Sequence, residues 1–233
     1  IAFNGCFDCL KAMLAASEEN IRKSFELLAD YKEEEFEAIN EEEENIDHLT
    51  DCVDTYLIDL SPSVKEDLHV RILTGDHAVN IAEDAKELSE GDNKLSADAL
   101  NELSVALELI EKIMAFTTVA FEKRDVEAAR HIEPLGEVMD DLINMLHDNH
   151  LQRLRDGKCS VQTGIVFLDV LSNMERIADI CSNVGVAIVA RVNPETASLA
   201  HTYISSLHQG GDAVFNEEYL RAHDELFGKL NAR

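Results

Sequence analysis

Two carboxylates on successive turns of a helix can share one cation, and this chain repeats that spacing. Glu175 and Asp179 lie four residues apart in LDVLSNMERIADICSNVGVAIVA, residues 168–190. Residues three and four apart share a helix face, so Glu175, Asp179 and Asn183 form a row. Leu168 and Leu171 precede it, and Val186 and Ala190 continue it. A like-charged pair in an otherwise apolar row predicts a buried pair. Such a pair is costly unless an Arg, a Lys or a metal ion neutralises it.

Three weaker rows have the same form. Glu137 and Asp141 are surrounded by Glu133, Asp140, Asn144 and Asp148, which reads as a wet face bordering Val138 and Met145. Glu43 and Asp47 sit beside Phe36, Ile39, Ile46 and Leu57. Glu43 also falls in the acidic run Glu41–Glu44 of a very acidic chain, where such pairs arise by chance, so a solvated face is the expectation. Asp76 is followed by Asn80, but Ile72 stands where a first acid would be. Where two rows face each other their oxygens would converge on a hard cation such as magnesium, calcium, manganese or ferrous iron. The rows hold no His or Cys, which argues by ligand softness against zinc.

Other chemistries find less support. A di-metal oxidase of the ferritin type needs Glu-x-x-His on two helices, and only Glu66–His69 fits. His147 and His150 read as solvent-exposed. Cys6 and Cys9 form a CxxC with no second pair, so reduced, packed cysteines are expected. No nucleophile motif, phosphate loop or dinucleotide fingerprint occurs, so neither an enzyme nor an organic cofactor is expected.

Composition sets the frame for these residues. The 233-residue chain is 45% hydrophobic with three prolines and no tryptophan, which favours helices and supports a core. Its net charge of −27 opposes binding to nucleic acid or to anionic lipid, since both would repel it. It favours cations or basic partners. No apolar run reaches the length of a membrane span. The chain opens on Ile1 rather than Met, which suggests a domain of a longer protein.

Apolar periodicity predicts helices over about 6–30, 32–60, 62–88, 97–121, 126–155, 161–191, 194–209 and 217–230. Ser61-Pro62 and Asn193-Pro194 are helix starts, and Gly91-Asp92-Asn93 and Gly210-Gly211 are breaks. Pro134 either kinks its helix or opens the main part of it. The expected architecture is all-α: a three-helix bundle over 1–91, a second over 92–192 as a diverged repeat, and a helical extension over 193–233.

The segment from His150 through Arg153, Gly157 and Cys159 to Gly164, Phe167, Glu175, Arg176 and Asp179 resembles the second half of a PhoU-type domain. The likeness is closest to the soluble C-terminal region of bacterial sodium/phosphate cotransporters. The resemblance implies two similar three-helix bundles whose acid-x-x-x-Asp motifs hold iron or zinc clusters. Glu43/Asp47, Glu137/Asp141 and Glu175/Asp179 match those motifs, and Asp76 matches the last acid of the fourth. Ile72 and Ile180 depart from the pattern. The resemblance further implies a regulator of phosphate transport on the cytoplasmic side of the membrane. Its partner would be a membrane transporter domain, first in the same polypeptide, and a homodimer is open. A free-standing PhoU regulator is the alternative, and a di-metal helical-bundle enzyme is the alternative of another class.

Overall fold

The structure is a computed structural model that describes residues 2–57, 62–91, 93–192 and 213–231, with side chains for all of these except 2–7, 54–74, 191 and 192. Apart from short connections the described residues are helical, with no strand among them. In order, the helices are α1 (Ala2–Ala29), α2 (Glu33–Leu57), α3 (Pro62–Glu90), α4 (Ala97–Lys123), α5 (Val126–Arg130), α6 (Ile132–Arg155), α7 (Val161–Val192) and α8 (Ala213–Asn231). The all-α expectation is met. The expected helix at 194–209 and the Gly210-Gly211 break lie outside the described residues, as does the Ser61 cap.

Helix boundaries follow local chemistry. Arg124 adopts a positive φ of 52°, and Asp125 then caps α5 by accepting hydrogen bonds from the Glu127 and Ala128 amides. His131 ends that short helix, and α6 begins at Ile132. Pro134 therefore falls in the first turn of α6, where its missing N–H costs no helical bond, so it opens the main helix rather than kinking it. Gly157, at φ 68°, closes α6 in the left-handed region. The Gly157 and Lys158 amides bond back to Leu154 and Arg153 carbonyls. Ser160 then opens α7, its Oγ accepting from the Thr163 amide at 3.1 Å.

The chain divides into two compact units. One comprises Ile1–Leu103 and His147–Ile177, the other Ser104–Leu146 and Ala178–Arg233. In the first, α1, α2 and α3 pack against one another. The α1 stripe of Leu10, Met13, Leu14, Ile21, Phe25 and Leu28 is buried as its spacing predicts, and Asn20 donates to the Ile39 carbonyl at 3.2 Å. In the second, Ile110, Ile113, Leu135, Val138, Leu142 and Ile188 are all buried. No described helix is long and apolar enough to cross a membrane.

Candidate functional site

The acid rows do not share one environment. Glu43 is buried on α2, at 8% exposure, and neither of its carboxylate oxygens has a hydrogen-bond partner. Gly75 of α3 lies directly against it, so that a Cβ built there would overlap the carboxylate. Glycine is what lets α3 approach this side chain. Burial, then the charges of Asp76, Asp47 and Glu42, push the Glu43 carboxyl up to about 7. Asp76 is raised too, by burial and then by Asp47, against the opposing influence of His77. Asp47 and Asp76 are themselves exposed. The α2/α3 row is thus one buried, unpaired carboxylate with two more acids at its rim. The Ile72 side chain, which interrupts the motif, lies outside the described residues.

Glu175 and Asp179, expected to be buried, are exposed, as is Asn183. The reason is helical drift. A step of four residues turns the helix by about 400°, so an i, i+4 row rotates about 40° per step. It leaves the core stripe of Leu171, Met174, Ala178 and Cys181, all buried, and runs along its edge. The flanking Leu168, Val186 and Ala190 are only half-buried. This pair is therefore solvated rather than buried, although it keeps its motif spacing.

On α6, Asp141 is exposed and Glu137 half-buried, consistent with a wet face. Asp141 accepts a 2.5 Å hydrogen bond from Tyr219 of α8. That bond, then burial and the charges of Asp141 and Glu137, raise the Tyr219 phenol to about 12. Glu218 beside it is buried, with Arg221 at 2.5 Å, His131 at 3.5 Å and Lys112 at 3.9 Å. Lys229 meets Glu108 of α4 at 2.5 Å. Phe215, Glu218, Ala222 and Leu226 form the buried face of α8. Periodicity predicts this helix, but nothing local in the sequence pairs Tyr219 with Asp141, 78 residues away. Tyr219→Phe is expected to lower stability by about 1–2 kcal/mol, because the lost bond is to a charged acceptor. Denaturant unfolding of the two proteins measures it.

A second constellation in the first unit was not foreseen. A cavity of about 390 Å³ between α3 and α7 is lined by His77, Asn80, Asp84, Asp169, Asn173 and Arg176, among others. His77 is buried, and its Nδ1 lies 2.8 Å from Asn173 Oδ1. An amide oxygen only accepts, so Nδ1 carries the proton. Asp84 Oδ2 is buried without a partner, and burial, Asp169, Glu87 and Glu83 push this carboxyl up to about 7. The folded state then holds a proton that the unfolded state releases near pH 4. Stability contributed by this group is complete below that pH and is lost as pH rises toward 7. Asp84→Asn should remove part of that decline, raising stability at pH 8 by about 1–2 kcal/mol after allowance for solvent screening. Thermal melts from pH 4 to 8 check the slope.

The expectation of solvent-exposed histidines holds for His147 and fails for His150, which is 4% exposed. His150 packs over Gly164 and tilts against Phe167 at 5.4 Å between ring centroids. Below it, Arg153 pairs with Glu102 at 2.7 Å and lies over the Phe167 ring, while Asn149 donates to Glu102 at 2.9 Å. Much of the motif that carried the family resemblance therefore builds a packed, charged platform. Cys9, Cys52, Cys159 and Cys181 are unbridged, and Cys52 is exposed rather than packed. The Cys6 and Glu66–His69 side chains lie outside the described residues.

Among the described residues no three His, Cys, Asp or Glu side chains form a ready-made metal cage. Of the acid rows, the Glu43 row has the donor chemistry and the orphaned buried oxygens that a cation would satisfy.

Comparison with known proteins places this geometry. Residues 103–188 match the family model of the PhoU domain. A curated relative, phosphate-specific transport system accessory protein PhoU homolog 1 of Thermotoga maritima, is 28% identical over 109 residues, or 47% of this chain and 46% of that protein. The match thus spans about half the length of that relative. Among solved structures, PhoU from Pseudomonas aeruginosa superposes with a TM-score of 0.73 at 16% identity, covering 82% of this chain and 97% of that one. The phosphate transport system regulatory protein PhoU from Streptococcus pneumoniae gives 0.69 at 19% identity, with 82% and 95% covered. At those identities the structures show the fold. Residues 103–188 thus resemble the PhoU domain, within a chain whose helical fold is that of the PhoU structures.

Proposed function

We propose that this chain is a PhoU-type regulator of phosphate uptake, acting by contact with transport machinery rather than by catalysis, and that a divalent cation at Glu43 tunes it. The names of its relatives, an accessory and a regulatory protein of phosphate transport, support the first part. The observation that carries the second is the buried Glu43 carboxylate with no hydrogen-bond partner, beside Asp47 and Asp76. Iron, zinc, manganese or magnesium would neutralise it, with Glu43, Asp47 and Asp76 as donors. Glu137/Asp141 and Glu175/Asp179 keep the family spacing on more exposed surfaces. The place of action is the cytoplasmic side of the membrane, where transport is regulated, and self-association as a homodimer is compatible with the reading.

The resemblance of His150–Asp179 to the cotransporter version favours a second reading, in which a sodium/phosphate cotransporter domain belongs to the same polypeptide. Reading the gene upstream of Ile1 for membrane spans separates the two.

The test is phosphate uptake in host cells lacking the gene. Loss of the gene should leave uptake unrestrained in phosphate-rich medium, and the wild-type copy should restore restraint. Unchanged uptake in the deletion strain would contradict a regulatory role. If Glu43→Gln restores restraint as fully as wild type, the cation part falls while the regulator stands.

A further inference from the structure

The turn between α6 and α7 presents apolar side chains to solvent. Leu151 and Leu154 near the end of α6 are 43% and 37% exposed, and Val161 and Ile165 at the start of α7 are 69% and 49% exposed. Only Val214 and Leu220 join them as exposed large hydrophobics among the described residues. The spacing i, i+3 on one helix and i, i+4 on the other puts each pair on one face, at the same end of a helical hairpin.

This exposure is not looseness. The inward side of the same turns carries the Glu102–Arg153 pair, the Phe167 ring under Arg153, and His150 against Gly164. The turn is closed by backbone bonds from Gly157 and Lys158, and Thr163 and Ser160 cap the next helix. A rigid base thus holds four aliphatic side chains outward, the arrangement of a preorganised binding patch.

Charge indicates what the patch meets. The chain has 20 basic and 47 acidic residues, yet residues 151–165 hold Arg153, Arg155 and Lys158 against Asp156 alone. Arg153 is spent on Glu102, which leaves Arg155 and Lys158 exposed at the rim, Lys158 within 3.5 Å of Asp156. Glu87 of α3, bonded to Gln162, borders the patch from another helix, and the exposed Asp148 and Asp169 lie one turn beyond the patch on α6 and α7. The chain's net charge of −27 as a whole repels an acidic partner. Here it would find apolar contact and cations together.

We propose that the α6–α7 tip is the docking surface for a partner protein's helix with an apolar stripe flanked by carboxylates. The inference rests on the regulatory reading and supplies its contact surface. A bilayer is disfavoured by the chain's charge and by the absence of aromatic residues from 151–165.

The test uses a synthetic helix of about 18 residues, with leucines on one face and glutamates beside them. Its binding to the whole chain is followed by fluorescence anisotropy and by amide chemical shifts. Binding with shifts centred on 151–165 is expected. Val161→Asp with Ile165→Asp should weaken it at least about tenfold, and Arg155→Glu should weaken it further in low salt. Val214→Asp, an exposed apolar site in the other unit, should leave it unchanged. No binding, shifts elsewhere, or equal loss in Val214→Asp would overturn the assignment. So would wild-type sedimentation with phosphatidylcholine/phosphatidylglycerol vesicles that the tip variants lose, or a concentration-dependent dimer that they abolish. If uptake restraint persists in cells carrying the tip variants, the tip assignment fails while the regulatory reading survives.

Discussion

Arg153→Met is expected to cost about 3–5 kcal/mol, the largest loss from any single change considered for this chain. The Arg153 side chain is 10% exposed and that of Glu102 9%, and their nearest approach is 2.7 Å. Methionine would fill the space over Phe167 but leave Glu102 charged, buried and held by Asn149 alone. Burial already raises the Glu102 carboxyl against the opposing pull of Arg153. Without that pull, burial would push the Glu102 carboxyl further up. The double variant Glu102→Leu/Arg153→Met should recover most of the loss, because neither charge then remains buried. Urea unfolding of the three variants decides this. A small loss in the single variant would mean that the platform beneath the α6–α7 tip is held by packing rather than by charge.

The second large effect is at Glu43, and its sign depends on what is bound. In metal-free protein at pH 8, Glu43→Gln should raise stability by about 1–2 kcal/mol, since it removes an ionised carboxylate from beside Asp76 and Asp47. The proton-linked penalty works as at Asp84. The folded carboxyl titrates near 7, above its unfolded value, so the destabilisation grows as pH rises through that range. At pH 4 the variant and wild type should therefore match closely. With manganese added in excess the order should invert, because only wild type has the buried donor whose charge the cation neutralises. A thermal-shift series at pH 4 and pH 8, with and without manganese, reads all of this. A variant that melts with wild type in all four conditions would remove Glu43 from the account.

The helices were legible because apolar periodicity and turn chemistry are local. The α1 stripe and the Gly157 stop can each be read within a few residues, whereas Pro134 alone left open whether its helix kinks or begins there. Which acid row is buried was not legible, because it depends on how far a row drifts around its helix and on what faces it. Leu168, Leu171, Val186 and Ala190 predict an enclosed Glu175/Asp179 pair, yet the row slides off the core edge. Glu43 was hidden in an acidic run, and the residue that explains its burial, Gly75, lies on another helix. A glycine in mid-helix beside Asp76 was the available signal, since helix interiors disfavour it unless another group must come close. His150 failed for the same reason, with Gly164 across the turn from it. The pairing of Tyr219 with Asp141 had no signal at all in the sequence.

The most direct test of the central claim is metal analysis of protein purified without chelator or a metal-affinity column. Wild type, Glu43→Gln and Glu175→Ala/Asp179→Ala are compared by elemental mass spectrometry. Bound iron, zinc or manganese is expected in wild type and in the Glu175/Asp179 variant, and its loss in Glu43→Gln. Metal retained in Glu43→Gln, or absent from all three proteins, would contradict it.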